Sequence, residues 1–223
     1  EECYEHVYVL HHPDEERPAC RPLRTYPSYE KLKELGAQFG QVNGWERPNY
    51  FAEDTFNDEE ARSFRRGEWW KYAKSEAVAI RQNVGLIDIS AFTKHIIKGP
   101  GATQFLDWFT CNKLPRVNKI NLTYALTSTG TVRSEYTIVR KDTDEYYLIS
   151  AGALTTYDQD YLVKNAEDKY EEFGYIEIHD VTSQFGAFAI AGPKSRELLQ
   201  KIVTALEPEN QLSNENFPWL SCK

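Results

Sequence analysis

The sequence lacks methionine, long apolar runs and an excess of basic residues. Its 223 residues carry a formal net charge of −8, whereas a general nucleic-acid binder needs a basic face that displaces counterions from phosphates. No segment approaches the roughly 18 apolar residues that cross a bilayer. We therefore predict no nucleic-acid or membrane partner. Because the chain begins at Glu1 and contains no methionine, we expect a piece or a processed form of a longer protein.

Metal-ligand spacings are missing as well. The sequence has no CxxC pair, and free thiols of a reducing compartment are the simplest reading of its four cysteines, Cys3, Cys20, Cys111 and Cys222. His11 and His12 stand side by side before an acidic stretch. Neighbouring residues on an extended chain point to opposite sides, so we predict no metal site there.

The motifs of several large enzyme classes are absent too. The sequence contains no Ser-His-Asp order, phosphate loop, GxGxxG fingerprint or HExxH pattern. Its hydrophobic fraction of 41% is nevertheless enough for a substantial core. Function must therefore depend on isolated polar residues carried by a folded domain.

The first 58 residues differ from the rest in amino-acid composition. Prolines recur between residues 13 and 48, which favours an extended segment that wraps another surface. One short helical stretch, "SYEKLKELGAQFG", has Ser28 as its N-cap and Gly36 as its terminator. We predict that residues 1–58 form a connector and that residues 59–223 form a second region.

Helical and strand patterns alternate in the second region. Apolar spacing of three and four predicts helices at 59–84 (broken by Gly67), 100–112, 155–174 and 193–206. Runs rich in β-formers predict strands at 86–99, 121–127, 131–140, 145–151, 175–181 and 186–192. A strand followed by Gly-Pro and a helix occurs twice, at Gly99 and Gly192. The repeat is either a common type of strand-to-helix junction or a duplicated unit. This order predicts an α+β fold of antiparallel sheets with packed helices.

Glu135 is the polar residue that most needs a reason. In "TSTGTVRSEYTIVRK" the side chains alternate, which predicts Ser134 and Tyr136 on a core face, and Arg133 and Glu135 together on the other. The carboxylate either pairs with a basic residue such as Arg140 or faces a cavity, where it holds a basic ligand or takes a proton. The pattern alone favours the ion pair.

The order and spacing of several segments resemble the first part of the aminomethyltransferase family, which includes the glycine cleavage T-protein. These segments are "NVGLIDISAFTKHIIKGPGATQFLDWF", "LTYALTSTGTVRSEYTIVRK", "EYYLISAG" and "DVTSQFGAFAIAGPKSRELLQKI". The upstream residues, from "HHPDEERPACRPLR" to "NGWERPNYF", are similar to the connector before this module in FAD-dependent dimethylglycine and sarcosine dehydrogenases. Connector and module together cover nearly the whole chain.

This resemblance implies subdomains arranged in a ring, with tetrahydrofolate bound in the central opening. It assigns Glu135 to the acidic position beside the reacting folate nitrogens, where most members carry Asp. Phe92 and Leu122 match apolar positions that pack on the pterin ring. For Phe92 a role in the core is an equal alternative, because a strand phenylalanine is ordinary packing. Tyr124 and Arg133 flank the same surface and are further candidates for cofactor contact.

The resemblance also implies an activity. A separate N-terminal FAD module oxidises an N-methyl amine to an iminium, and the folate module captures it as 5,10-methylene-tetrahydrofolate. The predicted partners are an N-methyl amine, folate and the FAD module of the same protein, in the mitochondrial matrix or a bacterial cytoplasm. This segment alone is expected to be inactive. The alternatives are a non-catalytic protein resembling the regulatory subunit of pyruvate dehydrogenase phosphatase and a free-standing aminomethyltransferase or demethylase.

Overall fold

The chain divides into two compact units. A computed structural model describes residues 1–13, 15–52 and 62–222. Unit one comprises Glu1–Asp88 with Phe188–Leu198, and unit two comprises Ile89–Ala187 with Leu199–Lys223. The predicted boundary after residue 58 lies outside the described residues and stays a prediction. None of the described helices is long and apolar enough to span a membrane.

Helices and strands alternate along most of the chain. The helices are α1 (Glu2–Glu5), α2 (Tyr29–Glu34), α3 (Trp69–Gln82), α4 (Ala102–Phe109), α5 (Thr155–Asp168), α6 (Tyr170–Phe173) and α7 (Ser195–Leu206). The strands are β1 (Ala37–Val42), β2 (Trp45–Phe51), β3 (Gly85–Asp88), β4 (Thr93–Lys98), β5 (Lys119–Leu126), β6 (Val132–Asp142), β7 (Glu145–Ser150), β8 (Glu177–Asp180) and β9 (Phe188–Ala191).

Unit one contains two small antiparallel sheets. Strands β1 and β2 form a hairpin whose turn residues Asn43 and Gly44 have φ angles of 52° and 82°, as a tight hairpin turn requires. Helix α2 follows Ser28 as predicted, but the Ser28 hydroxyl donates to Asp88 rather than capping the helix. The residues after Gly36 enter β1, because they pair with β2 instead of continuing a helix.

The predicted helix at 59–84 is only partly correct. Residues 59–61 lie outside the described residues, and residues 62–68 are not helical. Helix α3 begins at Trp69, two residues after the predicted break at Gly67. Its C-terminal end is followed directly by β3, which pairs with β9.

The predicted strand at 86–99 is wrong as a single element. It is two strands, β3 and β4, which belong to different sheets. A turn between them reverses the chain, with the Phe92 amide donating to the Ile89 carbonyl. An apolar run can be read as a strand without showing where the chain bends.

Unit two is built on a five-stranded antiparallel sheet in the order β5-β6-β7-β4-β8. Helix α4 buries residues 102, 105, 106 and 109, the spacing of a helix with one core-facing side. Its buried residues join those of α5 and the sheet in one cluster: Ile97, Ala102, Phe105, Leu106, Phe109, Ala125, Tyr136, Ile138, Tyr146, Leu148, Leu162 and Ala166. The sheet thus has one covered face, toward these helices, and an opposite face that we call the open face.

The two strand-Gly-Pro-helix patterns share their local geometry. Gly99 and Gly192 have φ angles of 123° and 117°, a backbone that residues with a Cβ rarely adopt. The strand before Gly99 belongs to the five-stranded sheet, whereas the strand before Gly192 belongs to a two-stranded one. The two segments therefore share the same type of strand-to-helix junction, and a duplicated unit stays a prediction.

Candidate functional site

Glu135 lies on the open face of unit two, directly opposite Tyr124. The two residues are cross-strand partners on β6 and β5, and Glu135 is exposed. A hydrogen bond to the Glu135 carboxylate, together with its negative charge, raises the pKa of the Tyr124 phenol. The phenol therefore stays protonated at neutral pH and donates a hydrogen bond to the carboxylate, which fixes the carboxylate's orientation.

An apolar strip continues from this pair across the open face. Leu122 precedes Tyr124 by two residues and is 46% exposed. It pairs with Thr137, which in turn pairs with Ile149 of β7. The sequence analysis did not single out Thr137 or Ile149. The alternation along each strand predicts which residues share a face. It does not predict the register between strands, which places Thr137 and Ile149 beside Leu122.

Phe92 lies apart from this group in sequence and in the sheet. It occupies the turn before β4, and β7 separates β4 from β6. Its side chain is 39% exposed. Phe92 therefore has the exposure that a ligand contact needs, but it is not part of the strip that contains Leu122, Thr137 and Ile149.

A buried lysine holds the Phe92 turn. Lys94 is fully buried, and its Nζ donates to the carbonyl oxygens of Ser90 and Phe92, both at 2.7 Å. A third carbonyl, that of Thr182, lies 3.3 Å from Nζ. These hydrogen bonds hold the backbone that presents Phe92.

Arg133 faces the other way, and the prediction that it shares a face with Glu135 is wrong. The pairing of β5 with β6 shifts by one residue between Ala125 and Leu126, and this β-bulge takes Arg133 out of the alternation. Its guanidinium lies 3.7 Å and 3.9 Å from the ring centroids of Tyr157 and Tyr161 on α5. We call this arrangement the tyrosine clasp. Helix α5 packs on the covered face, so Arg133 contributes to packing there.

A buried carboxylate anchors the strand behind Glu135. Asp158 of α5 is fully buried and accepts hydrogen bonds from the hydroxyls of Ser134, at 2.5 Å, and Ser150, at 2.6 Å. These bonds tie α5 to β6 and β7 at once. Because Ser134 immediately precedes Glu135, Asp158 holds the strand segment that presents the carboxylate on the open face.

Together these residues form a surface on which a carboxylate borders an apolar strip. Glu135 can hold a cation or accept a proton, and Leu122 and Tyr124 offer flat contact to a ring. The cavity of about 560 Å³ in unit one is lined by other residues, among them Arg21, Phe39 and Trp69. The open face thus brings together three of the predicted site residues, Leu122, Tyr124 and Glu135, but not Arg133.

Comparisons with known proteins agree with this architecture. Residues 28–223 match the family model described as the GCVT N-terminal domain. The crystal structure of glycine cleavage system aminomethyltransferase T from Bartonella henselae aligns with a TM-score of 0.62 at 21% identity, over 80% of this chain and 43% of that one. That likeness supports the fold, and the predicted aminomethyltransferase fold of antiparallel sheets and packed helices is confirmed.

Curated relatives extend the likeness to the whole chain. "Dimethylglycine dehydrogenase, mitochondrial" of Rattus norvegicus is 32% identical over 223 residues, which is 100% of this chain and 25% of that protein. "Pyruvate dehydrogenase phosphatase regulatory subunit, mitochondrial" of Mus musculus is 28% identical over 224 residues, 97% of this chain and 24% of that protein. The chain thus spans about a quarter of the length of these relatives. It belongs to the family of proteins that carry the GCVT N-terminal domain.

Proposed function

We propose that this chain is part of a flavoenzyme resembling dimethylglycine and sarcosine dehydrogenases. In that enzyme it forms the first portion of the tetrahydrofolate-dependent one-carbon transfer module. The observation that carries the proposal is the hydrogen-bonded pair of Glu135 and Tyr124 on the open face of unit two. Family membership and the rat relative, similar along the full chain, support it.

The residues present fit a pterin. A pterin is flat and apolar on its faces and carries polar nitrogens at its edge. The exposed side chain of Leu122 offers a surface to such a face, and the Glu135 carboxylate offers an acceptor for its N–H groups. Phe92 is a second exposed apolar side chain in unit two, and we propose that it contributes a contact from the turn before β4. When bound, tetrahydrofolate supplies the nitrogens that take up the one-carbon unit as 5,10-methylene-tetrahydrofolate.

Glu135 is then the catalytic residue of this portion of the module. A carboxylate beside an iminium stabilises its positive charge and accepts the proton that the reaction releases. Tyr124 keeps the carboxylate in place through the hydrogen bond that its phenol O–H donates. Arg133 is left out of the proposed cofactor contact, because the tyrosine clasp holds it on α5.

The other elements of the proposal concern the longer protein. An FAD module elsewhere in the protein oxidises the N-methyl amine, and the iminium then passes to the folate module. The names of the rat and mouse relatives include "mitochondrial", which supports the mitochondrial matrix for a eukaryotic source. The mouse relative is named as a regulatory subunit and covers 97% of this chain, so a regulatory protein is the second candidate.

Titration of the full-length protein with tetrahydrofolate separates the two candidates. We expect binding, and we expect Glu135→Gln to weaken it roughly tenfold or more, because a charge-assisted hydrogen bond is lost. Glu135→Asp restores the carboxylate and should recover much of the affinity. The matched control is Glu145→Gln in β7, where the carboxylate pairs with Lys141 at 3.1 Å; it should leave affinity unchanged.

A turnover assay completes the test. With dimethylglycine or sarcosine and tetrahydrofolate, Glu135→Gln should shift the product from methylene-tetrahydrofolate toward free formaldehyde, with amine oxidation retained. A full-length protein that neither binds folate nor oxidises amines would be regulatory, and the enzyme proposal would be wrong. Intact folate binding and product yield in Glu135→Gln would refute only the role of this carboxylate.

A further inference from the structure

Two histidines and a glutamate converge near the start of unit one. His6 follows the end of α1, and His11 and Glu15 follow in the next ten residues. One ring nitrogen from each histidine and one oxygen of Glu15 all lie within 4.8 Å of one another. All three side chains are half-buried. Two imidazoles and a carboxylate are a recurring zinc ligand set.

The separations suit a shared ion better than direct contact. Nδ1 of His11 lies 3.8 Å from Oε1 of Glu15, which is too long for a hydrogen bond. Ligand atoms of a tetrahedral zinc ion lie about 3.3 Å apart, because each is about 2.0–2.2 Å from the metal. No edge of the cluster exceeds 4.8 Å, so none needs to contract by more than about 1.5 Å.

The second ring nitrogen of His11 makes the kind of hydrogen bond that is common in histidines that bind zinc. Nε2 of His11 is hydrogen-bonded to the carbonyl oxygen of His6, at 3.1 Å. A carbonyl can only accept, so Nε2 carries the proton and Nδ1 keeps its lone pair for a metal. Metal-binding histidines commonly donate their other N–H to a backbone carbonyl in this manner.

The surroundings of His6 and Glu15 also suit metal binding. Nδ1 of His6 is buried and has no hydrogen-bond partner among the described residues, and such a buried polar atom calls for an explanation. Oε2 of Glu15 accepts the backbone N–H of His12 at 3.2 Å, which orients the carboxylate. Nη1 of Arg62 lies 3.9 Å from Oε1 of Glu15, so a metal ion would compete with this guanidinium for that oxygen.

We propose that His6, His11 and Glu15 bind one Zn²⁺ ion, with water as the fourth ligand. The ion would link the end of α1 to His11 and Glu15. The sequence argument against a metal site concerned His11 and His12, which are neighbours. The structure instead pairs His11 with His6, because the chain folds back after α1 and brings the two rings to a centroid distance of 4.9 Å.

Calorimetric titration of the tag-free, chelator-treated chain with ZnCl₂ tests this site. We expect one ion per chain, and at least tenfold weaker binding in His11→Ala and in Glu15→Gln. The matched control is His179→Ala in β8, where the ring is exposed and bonded to Glu177; it should bind like the parent. Circular dichroism of each variant checks that its fold is retained.

Cobalt substitution identifies the ligand atoms. Co²⁺ bound at this site should give the visible bands of nitrogen and oxygen ligands, without the intense thiolate-to-cobalt band that a cysteine site would show. No stoichiometric binding by the parent chain would overturn the proposal. So would binding that persists at parental affinity in the His6→Ala/His11→Ala double variant, or a thiolate band in the parent.

Discussion

Replacing Asp158 with alanine should lower the free energy of unfolding of unit two by about 4 kcal/mol. This carboxylate is fully buried. It accepts one hydrogen bond from the hydroxyl of Ser134 on β6 and another from the hydroxyl of Ser150 on β7. Alanine removes both acceptors and leaves two buried hydroxyls without a partner. It also breaks the link between α5 and the strand that carries Glu135.

The magnitude follows from the two bonds. A hydrogen bond to a charged group contributes about 1.5–3 kcal/mol, so two of them account for about 3–6 kcal/mol. Asp158→Asn keeps the shape and one acceptor oxygen, and its amide can donate to the second serine oxygen. We therefore expect a smaller loss of about 1–2 kcal/mol for Asp158→Asn.

Urea unfolding followed by circular dichroism measures these losses. The matched control is Asp160→Ala, because Asp160 lies two residues along the same helix and is exposed. Its unfolding free energy should stay within about 0.5 kcal/mol of the parent. A loss below about 1 kcal/mol in Asp158→Ala would show that the two hydroxyl contacts do not hold α5 on the sheet, and the reasoning would fail.

Two further substitutions test other polar residues of unit two. Arg133→Ala should lower the unfolding free energy by about 1–2 kcal/mol through loss of the tyrosine clasp. The folate affinity of the full-length protein should stay unchanged. A loss of folate affinity as large as that of Glu135→Gln would show that Arg133 contacts the cofactor. Burial lowers the pKa of His95, so the unfolded chain binds the proton more readily, and stability present above about pH 6.5 is lost as the pH falls toward the lower folded pKa. His95→Leu should flatten that decline in thermal melts between about pH 5 and 7.5. An unchanged pH slope would exclude His95 as its source.

Local patterns were enough to predict most elements of unit two. The strand-turn-strand prediction at 131–151 is confirmed as the β6–β7 hairpin, and the helix predicted at 155–174 is confirmed as α5 followed by α6. In these segments the apolar spacing, the turn residues and the buried face all agree. Short-range rules are sufficient in such cases, because each element is stabilised by contacts that its own periodicity arranges.

The candidate site was harder to predict because it depends on pairing between strands. Alternation within β6 put Arg133 beside Glu135, but one extra residue opposite Leu126 turned Arg133 toward α5. Nothing in the sequence of β6 marks that bulge, because the register depends on how β6 pairs with β5. The break before Phe92 has a similar origin. A Cβ on Gly152 would lie 2.1 Å from the Ala91 carbonyl oxygen, so the turn depends on a glycine about 60 residues away.

The exposure of Glu135 limits what it can do in this segment alone. Charges at a given separation interact about four times more strongly at the effective dielectric constant of a protein surface than in bulk water. While water covers the open face, the exposed Glu135 carboxylate interacts with a nearby cation at the weaker, bulk-water end of this range. Glu135 gains its proposed role when a ligand or another part of the proposed full-length protein covers the open face around Leu122 and Tyr124. The chain spans about a quarter of its curated relatives, so the full-length protein is where the effect of Glu135→Gln should be largest.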